Sequence, residues 1–315
     1  MKKTHIPYII SLFAAILLWS CESTDEGSAP ITIPEPDDEC CNAEETFLAY
    51  SFLNNGYVKE LTELRDTIDN KYVLKVYSSG GKLHVGYNDL FFTLIKIATD
   101  GYVRDFQVND IRPLMTMTAM GMQHSTPTET ETTVYNETFP AVRHAWVSFL
   151  MSSGDNGYWE LSYKAAWQQK EIEHTPTIIE VNALPAGQNW LKSFKKDNQT
   201  YYLTLVNPNT FQTGNNTIQA YVSKQSADKK VPYLTAEETF TIEITPTMPD
   251  MGDHTSPNNT PLIKQESGIY EGNLNLSMTG LWNIHLVVKD QEGNIVAGGD
   301  NDNSGYSSLY WSVTI

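Results

Sequence analysis

The stretch GNLNLSMTGLWNIHLVV, residues 272–288, alternates apolar and polar side chains on either side of one break. Leu274, Leu276 and Met278 share one face while Asn273, Asn275 and Ser277 take the other, and Trp282, Ile284 and Leu286 resume the pattern after Thr279 and Gly280. A period of two belongs to a strand with one face buried and one wet. Short segments of this kind, rich in Val, Ile, Tyr, Phe and Thr and separated by Gly, Asn, Asp and Pro, recur along the chain. Only Val58 to Thr67 reads as a helix candidate. The chain is therefore expected to be all-β.

Outward from this stretch the sequence repeats itself. YVLKV (72–76) resembles YYLTL (201–205), Gly86 before an apolar run resembles Gly214 before another, and HSTP (124–127) matches HTSP (254–257). Met151 and Trp159 correspond to Met278 and Trp282, with the extra residues lying near Gly154 to Gly157. Anchors in one order at a spacing of about 130 residues point to a tandem duplication. About seven strands in each copy predict two tandem immunoglobulin-like β-sandwich domains, over 46–168 (the divergent copy) and 169–315.

Residues 1–20 read as a lipoprotein signal peptide: Lys2 and Lys3, then a short apolar run from Tyr8 to Trp19. That run is too short to cross a bilayer. Ser20-Cys21 at its end resembles the bacterial lipobox, which implies lipid on Cys21 and a place in the cell envelope, at the outer membrane on its periplasmic or surface face. Residues 21–45 are acidic and Pro-rich and read as a flexible tether. Within it Cys40 and Cys41 are adjacent, and a reduced pair, a bond between chains and a soft-metal site all stay open.

The chain carries 38 acidic against 21 basic residues, a net charge of -17, which argues against nucleic acid as a partner. Methionines other than Met1 gather in corresponding places of the two copies. Met115, Met117, Met120, Met122 and Met151 lie in the first; Met248, Met251 and Met278 lie in the second. Both copies carry M-x-x-M-G followed closely by His124 or His254. Thioethers suit Cu(I) and imidazole suits either copper state, so Met117, Met120, Met122 and His124, and Met248, Met251 and His254, are candidate copper ligands. The loop of the second copy is the stronger candidate, because Pro246, Pro249 and Pro257 keep it out of regular structure. The competing reading is packing, since methionine fills irregular core gaps and a strand can turn Met115 and Met117 together onto its inner face.

The residues from Met248 to His254, from Gly268 to Gly272 and from Leu276 to Trp282 resemble the YtkA-like, FixH-related domain, closely over 200–290 and loosely over 70–165. The resemblance implies a small extracytoplasmic β-sandwich near respiratory or copper-handling functions. It implies Met248, Met251 and His254 as ligand positions, with Met278 on the adjoining strand. Asp300 to Gly305 mimics the start of a calcium loop but lacks the closing acid, since Trp311 stands at the twelfth position. Nucleophile-elbow, phosphate-loop, zincin and dinucleotide-binding motifs are absent, so no enzyme is expected. Two functions follow as expectations. One is a membrane-anchored accessory protein that binds copper beside a membrane protein complex or copper-handling protein. The other is a metal-free scaffold or adhesion-type module for a partner protein or surface polymer.

Overall fold

The computed structural model describes residues 41–301 and 305–315. The expected signal peptide, Cys21, Cys40 and most of the expected tether lie outside the described residues, as do Asp302 and Ser304 of the calcium-like stretch. Almost every element is a β-strand; the α-helix among the described residues is Ala43–Leu53. No helix among them is long and apolar enough to cross a membrane.

Two expectations near the N-terminus change. The tether stops before Cys41, which is buried, disulfide-bonded and packed against Gly101. The helix begins at Ala43, where the Asn42 side chain accepts the N–H groups of Glu44 (2.8 Å) and Glu45 (3.1 Å). An acidic pair that reads as solvated linker is thus the negatively charged first turn of a capped helix. The expected helix over 58–67 is instead two edge strands, Val58–Glu60 and Asp66–Ile68, joined by a 3-10 turn and both paired with Tyr72–Ser79.

In the first half, strand Tyr72–Ser79 pairs with Gly86–Lys96, which pairs in turn with Arg143–Phe149, all antiparallel. A second sheet runs Lys170–Ile179, Tyr158–Trp167, Gln107–Met117, Met122–His124. The two sheets enclose one core in which Leu74, Leu90, Phe92 and Val147 meet Val108, Met115, Trp159 and Leu161. Tyr158–Trp167 alternates half-buried and buried residues along its whole length, as a one-faced strand must. Gly86–Lys96 is buried on both faces, because Ala49, Phe52 and Leu53 of the helix cover its outer side at Phe91 and Ile95.

The second half repeats these pairings. Gln199–Leu205 pairs with Gly214–Lys224, and that strand pairs with Tyr270–Leu276. Thr241–Met248 lies between Leu281–Lys289 and the short strand His254–Thr255. Gly214 opposes Leu276 as Gly86 opposes Phe149. Here the layers join into one ten-stranded sheet, because Leu262–Lys264 pairs with both Thr241–Met248 and Tyr270–Leu276. The second core, around Leu203, Ile218, Ile242, Trp282 and Trp311, is separate from the first.

The break between the cores falls after Asn182, not at 168/169. Lys170–Ile179 folds back on Tyr158–Trp167, and Ile179 and Val181 are buried in the first core. Gln168 and Gln169, at the expected boundary, form the left-handed turn of that hairpin. The halves meet at a hydrogen-bonded seam. Ser125 N–H donates to the Lys229 carbonyl, Tyr233 N–H to Thr126 and Thr128 N–H to Tyr233. Beside it Tyr87, Trp146 and Tyr221 form an aromatic stack, the last two 4.3 Å apart.

Candidate functional site

The methionine and histidine loops fold as hairpins at corresponding ends of the two halves. In the first, Met115 opposes His124 and Met117 opposes Met122 across an antiparallel pair. In the second, Met248 opposes His254. The structural counterpart of Met248 is therefore Met115, two residues before the Met117 that the sequence alone aligns with it. Three further correspondences fix this register. Trp159 and Trp282 are fully buried and donate their indole N–H groups to the carbonyls of Met151 and Met278, each at 2.9 Å. Gly157 and Gly280 stand two residues before these tryptophans, both at positive φ. A Cβ added at either would lie 2.8 Å from a methionine methyl, that of Met115 or of Met248. Each half thus has a methionine folded over a bare glycine beside a tryptophan.

That packing decides the role of Met248. It is 5% exposed and belongs to the second core, whereas Met251 is 59% exposed and His254 is exposed. Of the three donors expected of the second copy, one is therefore buried in the core and only Met251 and His254 are exposed. Met278 and Met151 also pack against their cores. Gly252, like Gly121, adopts the left-handed conformation that turns each hairpin.

The first hairpin is built differently. Residues two apart on a strand share a face, and directly opposed residues sit about 4.5–5.5 Å apart at Cβ. Met115, Met117, Met122 and His124 therefore line one face. Met115 is fully buried at its base, Met117 is half-buried and Met122 is 53% exposed. His124 Nδ1–H donates to the Ser125 carbonyl at 2.8 Å, which leaves Nε2 with a free lone pair. Metal-binding imidazoles are held by this kind of hydrogen bond from the other ring nitrogen. The ring stands edge-on to Trp159, 5.5 Å between centroids. Met120, 57% exposed, lies in the turn. Two soft sulfurs and one imidazole on one half-buried face fit Cu(I) by donor type. Among the described residues, no group of three His, Cys, Asp or Glu is placed to hold a metal ion.

Two partly buried carboxylate–histidine pairs join residues far apart in the sequence. Asp89 Oδ1 accepts from the Tyr87 hydroxyl and from His144 Nε2, both at 2.7 Å. Asp66 Oδ2 and His174 Nδ1 lie 2.6 Å apart, and His174 stacks on Tyr163. His285 is a satisfied core histidine between Thr247 and Ser307. Their partners lie up to 108 residues away, beyond any local spacing signal.

The model of the YtkA-like family matches residues 195–287, which include the whole second hairpin. No curated protein matches the chain. Among solved structures, the Yersinia pseudotuberculosis adhesin InvE is similar at 9% identity and a TM-score of 0.22, over 83% of this chain and 61% of that one. The chain thus spans about 61% of the length of that structure.

Proposed function

We propose that this protein is a non-enzymatic binding protein of the bacterial envelope, held to a membrane by lipid on Cys21, with two tandem immunoglobulin-like sandwiches and a Cu(I) site in the first. The carrying observation is the strand register that sets Met117, Met122 and His124 on one face with His124 Nε2 free. When bound, copper would take its sulfur ligands from Met117 and Met122 and its nitrogen from His124. Met115 supports them from below without leaving its place over Gly157. The chemistry is capture, and delivery to a membrane complex or copper-handling protein; the chain's own residues hold and shield the ion.

The test is competition for Cu(I) against a chromophoric chelator under reducing conditions. One equivalent should bind, Met122→Leu should weaken it at least tenfold, and Met251→Leu should leave it unchanged. Binding no tighter than about micromolar, or a site indifferent to Met122→Leu, would overturn the copper reading. The metal-free scaffold would then stand, supported by the way both halves already use a methionine as packing over glycine.

A further inference from the structure

At the seam, away from the methionine hairpins, a cleft of about 150 Å³ opens between the halves. The first half contributes Tyr57, His84, Tyr87 and Asp89, and the second contributes Asn207 and Thr210. Asp89 is the one charged residue among those lining it apart from histidine, and it is only 9% exposed.

The Asn88 amide is spent: its Nδ2 donates to the carbonyls of His84 and Gly86, and its Oδ1 accepts the His84 N–H. The Tyr87 hydroxyl is spent on Asp89 Oδ1, which also takes His144. Asp89 Oδ2 has one long contact, 3.4 Å from Asn207 Nδ2. A carboxylate offers about four lone-pair sites, so this oxygen has capacity left over. His84 Nδ1–H donates to the Val85 carbonyl at 3.0 Å, and its Nε2 is left as an acceptor. Burial lowers the pKa of His84 and so favours that neutral ring. Asn207 holds its place in a left-handed conformation (φ 43°), and the Thr210 hydroxyl donates to its carbonyl. Its Oδ1 has no partner among the described residues.

The cleft thus has three acceptors with spare capacity around a buried carboxylate, and Ser79, Asn209 and the half-exposed ring of Tyr57 complete its lining. We propose that this cleft binds a primary ammonium group, taken up by Asp89 Oδ2, His84 Nε2 and Asn207 Oδ1. An ammonium brings three N–H donors to three acceptors, its charge meets a partly desolvated carboxylate, and an aromatic face at the rim adds a cation–π contribution.

Two sources carry this group, a free small amine and the tip of a lysine side chain. Titration of the purified chain with butylamine and with Nα-acetyl-lysine N-methylamide, followed by calorimetry or NMR shifts, separates them. Saturation by both indicates access for lysine in a peptide; saturation by butylamine alone indicates a site for free amines. Asp89→Asn should weaken binding at least tenfold. Asn207→Gly, which keeps the left-handed backbone at no steric cost, should weaken it several-fold and guards against loss of fold in the first variant. The trimethylated lysine analogue, having no N–H, should bind at least tenfold more weakly than lysine. Absence of saturation by either amine up to tens of millimolar, equal affinity in both variants, or binding of glucose in place of amine would overturn the proposal.

Discussion

The two hairpins at the ends of the halves start from the same parts and differ by three residues: nine steps separate Met115 from His124, and six separate Met248 from His254. Both have a methionine over a glycine, a tryptophan bonded to a methionine carbonyl, an exposed methionine before a left-handed glycine, and a histidine opposite the buried methionine. The longer turn lets the first strand run on to Met117 and gives it an opposing Met122. The second hairpin turns at Pro249, which fixes φ and starts a 3-10 turn where the first continues as strand. Equal scaffolding with unequal side chains on top separates what holds the hairpin from what it offers a ligand.

Five measurements bear on that separation. If the scaffolds are equal, Trp159→Ala and Trp282→Ala should each cost about 3–5 kcal/mol in denaturant unfolding, since both rings are fully buried. A cost below about 1.5 kcal/mol in one half would break the equivalence. The glycines should then sharpen it. An alanine Cβ at Gly157 would lie 2.2 Å from the Thr116 carbonyl oxygen as well as against Met115, whereas at Gly280 it meets only the flexible end of Met248. Gly157→Ala should cost about 3 kcal/mol and Gly280→Ala about 1 kcal/mol, and the reverse order would contradict the packing described.

The ligand side of the comparison gives smaller effects. Met122→Leu should lose about 1.4 kcal/mol or more of Cu(I) binding, the equivalent of tenfold, with unfolding midpoints unchanged. The smallest effects belong to the turns: Met120→Leu and Met251→Leu should each change stability by less than about 0.5 kcal/mol. Under mild peroxide, mass spectrometry should find sulfoxide at Met120, Met122 and Met251 before Met115 and Met248, in the order of their exposure.

Much of the strand order was legible, because alternation and repeated glycines are local signals. Gly86 and Gly214 mark equivalent strand starts, and Trp159 and Trp282 equivalent core plugs. The register of the hairpins was not legible. Aligning M-x-x-M-G places Met117 on Met248, while backbone pairing and the glycine contacts place Met115 there. That choice depends on atoms at Gly157, 42 residues beyond Met115, which no short motif contains. The same holds for Asp89 with His144, and for the cleft whose far wall begins at Asn207.

The seam also sets an order in time. Residues 125–128 complete their backbone hydrogen bonds with Lys229 and Tyr233, about a hundred positions later in the chain. In a chain that emerges from its N-terminus, the first segment is out about a hundred residues before its partner. Until that partner follows, the backbone groups of residues 125–128 lack these bonds. Truncation before residue 229 would leave those groups without their partners for good, so an irregular segment of the second half completes the first.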